Sequence, residues 1–388
     1  MFSCLFKLVA ILLLSQQVKS WQVRALSTLS RSAIRPTTIM SNGLTWCVVG
    51  AGDVCEKKAA PTAFRNAGTE CEVSCIIRRN KEKAEDFCSR HSINRAYSSF
   101  EEMIAGEAGN VNAVYISTPP STHKDYATLC LQAGIKNLYI EKPVCLCAEE
   151  ARTLKVELEK HEDVKLVVAH YRNSLPMFKY INELLHDKKV IGDIRHVDIR
   201  VSRADAGDTS AEGNWRLDPT MSGGGYFHDI SPHALALMQM MFGDAEESTI
   251  NGVALRQADG EGPVDLVTGV YKLPHANRRG GQAVDAAAAS ITMSWCFTVG
   301  KGEEADECLV TGERGSVRFP FYTGTDVQVT LGGVRSEEHS KRFVHPENIQ
   351  ASMIGDVTRY FRGEEGAENP CSVDDAIKVM AIIDRLTA

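Results

Sequence analysis

The sequence has no Cys-x-x-Cys pair, no apolar run long enough to cross a bilayer, no excess of basic charge and no acidic residue before Asp53. The cysteine spacing argues against a structural zinc site: Cys71 and Cys75 are separated by three residues, and Cys145 and Cys147 by one. The histidines are scattered as well, so no metal site is expected. A disulfide framework belongs to small chains with thin cores, whereas this chain has 388 residues, 44% of them hydrophobic. Its 12 cysteines are therefore read mostly as reduced, buried, small hydrophobes. The net charge of −7 argues against nucleic acid as a partner, because binding a phosphate backbone needs a basic face. One local basic pocket for a dinucleotide phosphate stays compatible with that charge. The length allows two domains with separate cores.

The lack of acid at the start has its own reading. Lys7 precedes the apolar run Leu8 to Leu14, which has the length of a signal-peptide core and is too short to span a membrane. Val18-Lys19-Ser20 offers a cleavage site. From Trp21 to Gly43 the chain carries Arg24, Arg31 and Arg35 with several hydroxyl residues, as transit peptides do. A signal-like stretch followed by a transit-like one resembles the bipartite presequences of algae with secondary plastids. Residues 1–43 are thus expected to be a presequence, removed or disordered, with no membrane segment in the mature form. Secretion, mitochondrial import and translation from Met40 are the open alternatives. A fluorescent fusion of residues 1–43 reads the compartment, and a diffuse cytosolic signal would end the targeting reading.

Thr45 to Val49 is a mostly apolar run that ends in Gly50-Ala51-Gly52-Asp53-Val54-Cys55. A helix-like stretch follows from Glu56 to about Ala67, with Pro61 inside it to kink or interrupt it. Strand, glycine turn and helix in that order make a dinucleotide-binding unit. Gly50 permits the tight turn and Gly52 lets backbone approach a pyrophosphate. The helix start at Asp53 and Val54 offers free N–H groups and a positive dipole end. The third glycine is missing, and Cys55 stands there as a small substitute.

The next strand, Cys71 to Ile77, lacks the carboxylate that a NAD-specific Rossmann domain places at its end for the ribose 2′-hydroxyl. It ends in Arg78-Arg79. Two guanidiniums attract a 2′-phosphate and can hold it bidentately. NADP(H) is therefore the expected cofactor, with NAD(H) second. The plain alternative is a pair of solvated loop arginines. A helix is read from Lys81 to His91. Strands are read from Val111 to Ile116, Asn137 to Ile140 and Val164 to Val168. Between the first two, His123 opens a helix running on from Lys124 to Ala133. Ligands sit beyond the carboxyl ends of such strands, which places Thr118, Pro119, Pro120, Glu141 and Lys142 beside the cofactor.

The order Gly50-Ala51-Gly52, then Thr118-Pro119-Pro120 with His123, then Glu141-Lys142-Pro143, resembles the glucose–fructose oxidoreductase / inositol dehydrogenase / rhizopine catabolism (Gfo/Idh/MocA) family. Gly223-Gly224-Gly225, followed by Asp229 and His233, adds to the likeness, which runs from Thr45 to Ala388. It implies an α/β fold: a Rossmann domain with a doubly wound parallel sheet at 44–168, and an α/β domain with a mostly antiparallel open sheet at 169–388. The last helix would pack back on the first domain. The likeness also implies cofactor contacts from the Thr118–His123 loop and from Glu141, and a catalytic role for Lys142. An ordinary loop lysine paired with Glu141 is the alternative.

The second domain is also readable from its own residues. Ile194 to Val201 and Ala289 to Trp295 alternate with period two. Glu307 to Thr311, Ser316 to Phe319 and Asp326 to Leu331 are short runs between turns, as in an antiparallel sheet. Pro346 to Phe361 and Ser372 to Leu386 read as closing helices. Asp205–Gly213, Gly260–Gly262 and Asn277–Asp285 read as loops.

Hydride transfer needs a group that exchanges a proton with the substrate oxygen. Lys142 at a strand end can polarise or protonate a carbonyl. Asp229 and His233 are four residues apart, so on a helix they share a face. His233 then suits proton transfer, with Asp229 orienting the imidazole or binding a substrate hydroxyl. If Pro232 instead starts the helix with Ser231 as its cap, that face does not exist. Arg172, and Trp215 with Arg216, are candidate substrate contacts equally readable as packing, and His228 is a weaker candidate, read first as a wall residue. The three glycines are read as bringing backbone close to substrate. The expected function is an NADP(H)-dependent dehydrogenase or reductase of sugars, cyclic polyols or diols. Other readings are a cofactor-binding sensor or scaffold without turnover, and an enzyme that holds and recycles its dinucleotide. One uncovered sheet face would favour a homodimer or homotetramer.

Overall fold

The computed structural model of the chain describes residues 43–59, 61–68, 71–107, 109–204, 215–256, 263–279, 282–283 and 288–388. The expected presequence (save Gly43) and the loops read at Asp205–Gly213 and Gly260–Gly262 lie outside them. Among the described residues no helix is long and apolar enough to cross a membrane.

Six parallel strands form the first sheet: β1 (Leu44–Val49), β2 (Cys71–Ile77), β3 (Arg95–Tyr97), β4 (Ala113–Ile116), β5 (Asn137–Ile140) and β6 (Lys165–Val168). Their order is β3-β2-β1-β4-β5-β6. The sheet carries helices on both sides, so β4 is buried at all four positions and reads as a continuous apolar run. The chain winds outward from β1 to β3, then returns across β1 to β4. That reversal parts the loops leaving β1 and β4 and opens a crevice between them.

The helix expected at Glu56 to Ala67 is broken. A π-type turn spans Cys55–Ala59, and α1 (Pro61–Asn66) begins at the proline. Proline has no N–H to continue the ladder, but it is well suited to a first helical turn. Helices α2 (Lys81–His91), α3 (Phe100–Glu107), α4 (His123–Gln132) and α5 (Ala148–Leu158) follow. β3, α3 and α5 had no counterpart in the sequence reading. β3 is three residues long and half-exposed, too short to show a period.

After α6 (Pro176–Asn182) the chain builds its second sheet. It starts with β7 (Ile194–Ser202), then passes through α7 (Pro219–Ser222) and α8 (Tyr226–Phe242). β8 (Asn251–Leu255) and β9 (Leu266–Leu273) come next, followed by a separate small hairpin of β10 (Arg278–Arg279) and β11 (Gln282–Ala283). β12 (Ala289–Cys296), β13 (Ala305–Gly312), β14 (Gly315–Phe319), β15 (Asp326–Leu331) and β16 (Val334–Arg335) complete the order β16-β15-β14-β13-β7-β12-β9-β8. β17 (Lys341–Arg342) pairs with β15. Only β7 and β12 pair in parallel. β8 and β9 escaped the sequence reading because Gly252 and Gly269 interrupt their apolar patterns. The expected loop Asn277–Asp285 contains the small hairpin, and Asn277 is buried. Its amide accepts from Ile194 N at 2.6 Å and donates to Ile194 O at 3.0 Å.

One face of this sheet is core and the other is open: along β9, Val267, Tyr271 and Leu273 are buried while Thr268, Val270 and Lys272 are exposed. Two helices close the chain, α9 (Ala351–Arg362) and α10 (Val373–Thr387). α10 starts with a capping box between Ser372 and Asp375. It packs on α5 and β6 of the first domain as well as on α8 and β8. Asp384 accepts from Ala148 N at 2.8 Å, at the start of α5. The 11 described cysteines are free, nine of them buried.

Candidate active site

The crevice at the β1/β4 reversal is a cavity of about 580 Å³. Its floor is the turn Gly50 to Val54 and the loop Ser117 to Pro120. Gly50 sits at φ +85°, and a Cβ there would come within 2.7 Å of Thr118 Cγ2 and 2.9 Å of the Ser117 backbone. Only glycine lets these two loops close on each other. A Cβ on Gly52 would meet nothing nearer than 3.9 Å, so the backbone there borders open space. The first amides of the helical turn, at Asp53 and Val54, have no partners within that turn and line the same space. A floor of this kind fits a dinucleotide pyrophosphate.

One end of the cavity lies beyond β2. It is lined by Arg78, Arg79, Asn80, Lys83 and Tyr126, and no carboxylate stands at the strand end. Arg78 is fixed through its backbone, which donates to Tyr97 O at 3.0 Å, and its guanidinium reaches Lys83 O at 3.3 Å. Asn80 caps α2 by accepting from Lys83 N at 2.9 Å. The Asp53 carboxylate turns outward to Lys57.

The other end is lined by Glu141, Lys142, Tyr171, Trp215, Arg216 and Asp229, with Lys58 beside them. α8 starts after Gly225 and runs on through Pro232, so Asp229 and His233 do share a helical face. They do not work as a pair. Lys142 Nζ donates to Asp229 Oδ1 and to Asp229 O, both at 2.6 Å. Arg216 Nε donates to Asp229 Oδ2 at 3.0 Å, and its guanidinium stacks 4.5 Å over Trp215. Burial alone would raise the Asp229 carboxyl, but the Lys142 and Arg216 charges outweigh it and hold it at about 2. Among the described residues Asp229 makes no hydrogen bond to the imidazole; its carboxylate turns to Lys142 and Arg216, while the ring packs on Tyr171.

His233 is 4% exposed and packs its ring 4.7 Å from Tyr171, behind the cavity wall. Burial, and then the Lys142 and Arg172 charges, push its proton affinity far below the usual histidine range. Its Nδ1 has no hydrogen-bond partner among the described residues. Lys142, unlike His233, lines the cavity.

Several expected contacts are placed elsewhere. Arg172 is buried under the wall; it donates to Phe321 O and lies between the Tyr171 and Tyr322 rings. His228 packs on Gly224 and does not line the cavity; burial lowers it to about 4. The three glycines make room for packing rather than substrate. A Cβ on Gly223 would come within 2.6 Å of Leu146 O, and one on Gly225 within 2.3 Å of Pro263. His123 lies beneath the floor. Its two nitrogens face Thr118 O at 2.7 Å and Pro143 O at 3.0 Å, tying together the loops that carry Thr118 and Lys142.

The strand-end carboxylate Glu141 is held by residues with no local signal. Tyr115 Oη and Gln350 Nε2 both donate to its Oε1 at 2.6 Å. Gln350 also accepts from Tyr139 Oη at 2.9 Å, so it stitches the start of α9 to two strands of the first sheet. Lys58, Lys83, Tyr126 and Tyr171 were missed too. Only Asn80, as a cap before an apolar-periodic helix, offered a readable sign.

Residues 44–170 match the family described as "Oxidoreductase family, NAD-binding Rossmann fold", and residues 178–318 match the "GFO/IDH/MocA C-terminal domain". The chain is 35% identical over 347 residues to Oxidoreductase P35 of Formosa agariphila, covering 89% of this chain and 98% of that one. The chain belongs to the Gfo/Idh/MocA oxidoreductase family. The trans-1,2-dihydrobenzene-1,2-diol dehydrogenase of Bos taurus is 27% identical over 296 residues, 74% of this chain and 84% of its own. Among solved structures, an aldose-aldose oxidoreductase from Caulobacter crescentus superposes with a TM-score of 0.71. That match covers 89% of this chain and 96% of the other at 19% identity, a likeness of fold. Within this Gfo/Idh/MocA fold, which is an NAD(P)-binding one, the floor is the candidate cofactor surface and the Lys142 end is the candidate reaction end.

Proposed function

We propose that this oxidoreductase moves a hydride between NADP(H) and a CH–OH or C=O carbon of a sugar, cyclic polyol or diol. The observation that carries the reading is the shape of the charge in one cavity. Arg78, Arg79 and Lys83 stand without a carboxylate beyond β2, and Lys142 is fixed on Asp229 at the far end. The diol dehydrogenase relative supports the substrate class. A bound nicotinamide supplies the hydride chemistry. The chain's own part is to hold the substrate oxygen at Lys142 Nζ. As a neutral amine that nitrogen takes the hydroxyl proton in oxidation, and as an ammonium it gives the proton back in reduction. Asp229 fixes Nζ from below, and Tyr171 and Trp215 wall the site.

Replacing Arg78 and Arg79 together with Ala is expected to raise the KM for NADPH by about a hundred-fold, the scale of one or two lost charge-assisted hydrogen bonds. The KM for NADH should change little. Steady-state kinetics with both cofactors decides it, and equal changes would count against NADP(H). The open face of the second sheet supports a homodimer or homotetramer. Light scattering of the purified protein tests this, and a monomer would reject it.

A further inference from the structure

The Lys142 end of the cavity holds three cations and two carboxylates. Both carboxylates are occupied. Asp229 serves Lys142 and Arg216, while Glu141 serves Tyr115, Gln350 and the Lys142 amide. The third cation is Lys58. It lines the cavity from the π-type turn Cys55–Ala59, half-buried, and its ammonium has no hydrogen bond or ion pair among the described residues. Its charge is felt at Asp229 and at His233, which places it at the reaction end. Its backbone is anchored there as well. Gln350 N donates to Lys58 O at 3.1 Å, and the same glutamine holds Glu141.

An ammonium that lines the cavity without a hydrogen-bonded partner among the described residues is free to meet a charge on a ligand. The histidines nearby cannot balance it, since a neutral ring carries no negative charge. An oxidised nicotinamide would add another positive charge at this end. The pyrophosphate already has the Gly52–Val54 amides, and Lys58 lies farther along the turn, toward Asp229. Among the described residues no further anion faces Lys58, and a negative charge on the substrate would supply one.

We infer that the substrate carries a carboxylate and that Lys58 binds it, which narrows the class from polyols to hydroxylated sugar acids. This rests on the proposed hydride-transfer reading of the same site. The chemistry balances without a further reactant. With Lys142 as an ammonium the balance is that of reduction: the carbonyl carbon would take a hydride from the nicotinamide, its oxygen takes a proton from Lys142, and the carboxylate is unchanged; oxidation is the reverse, onto the neutral Lys142 amine.

The test uses matched acid and neutral pairs, D-gluconate with D-glucitol and D-glucuronate with D-glucose. Binding to the full chain saturated with NADPH is read by calorimetry, and turnover by nicotinamide absorbance. In the wild type the acid of at least one pair should bind about ten- to a hundred-fold more tightly than its neutral partner. Lys58→Met should erase that gap while changing the neutral partner and the NADPH dissociation constant by less than about two-fold. Equal binding of acid and neutral members in the wild type would overturn the inference. So would a Lys58→Met loss shared by both members, or one seen in NADPH binding, which would make Lys58 a cofactor ligand. Turnover of neutral sugars without preference rejects the acid class and leaves the hydride-transfer reading standing. Failure of every pair to react rejects that reading, while the calorimetry still judges Lys58.

Discussion

Lys142→Ala is expected to lower kcat by about two to four orders of magnitude, the scale on which a positioned acid–base group contributes. The geometry isolates the effect. Lys142 Nζ is held at 2.6 Å by both the carboxylate and the carbonyl of Asp229, so it cannot wander from the cavity end. Its removal leaves Asp229 still paired with Arg216 at 3.0 Å, so no buried carboxylate is stranded and the fold should persist. Dinucleotide binding, which rests on the floor and on the β2 end, should persist as well. The KM for NADPH should therefore move by less than about three-fold while kcat collapses, the signature of an interaction made at the reacting centre. Fluorescence titration with NADPH, run beside the kinetics, separates the two. An unchanged kcat would move the proton-transfer role away from Lys142.

What the sequence disclosed was what local chemistry controls. β1 was legible because a strand buried on both faces is a continuous apolar run, and its glycine turn follows at once. The end of β2 was legible because Arg78 and Arg79 replace a carboxylate at a position fixed by strand length. Thr118 to Pro120, Glu141 and Lys142 were placed by the same logic of strand ends. The failures share a cause. Arg172 stayed open between substrate contact and packing, and His228 read as a wall residue before a contact, because charge and ring type do not reveal whether a side chain points into a crevice or under its wall. The pairing of Asp229 with His233 followed correctly from helical spacing, yet spacing along one helix cannot show that Lys142 and Arg216 arrive first from other elements. Gln350 and Lys58 carried no signal, because their roles exist only once α9 and the π-type turn meet. β8 and β9 were lost to Gly252 and Gly269, which break an apolar pattern although the strands still pair.

Three of the buried histidines, His170, His228 and His233, should make the protein acid-labile well above the carboxylate range. Burial, then the Lys142 charge, lowers His170 to about 3. Burial lowers His228 to about 4, and His233 lies well below its usual 6.5. In the unfolded chain each would titrate near 6.5. Below that pH the unfolded chain takes up protons that the folded chain refuses, so stability is full above 6.5 and falls as pH drops. Each such histidine removes about 1.4 kcal/mol per pH unit. At pH 5 His170 and His228 together amount to about 4 kcal/mol, a large part of the stability of an ordinary domain, and His233 acts in the same direction. Urea unfolding followed by tryptophan fluorescence should show its midpoint dropping steeply between pH 7 and pH 5. Below about 4, His228 begins to protonate in the folded chain too, and its share of the slope should level off. Replacing His228 with Gln should flatten the pH dependence by about one histidine's share. A midpoint that does not move between pH 7 and pH 5 would contradict the burial of these rings. Burial, then the Lys142 and Arg172 charges, disfavour the charged form of His233 in the folded state. Activity lost on acidification should then track the unfolded fraction, and kcat per folded molecule should show no step from this ring.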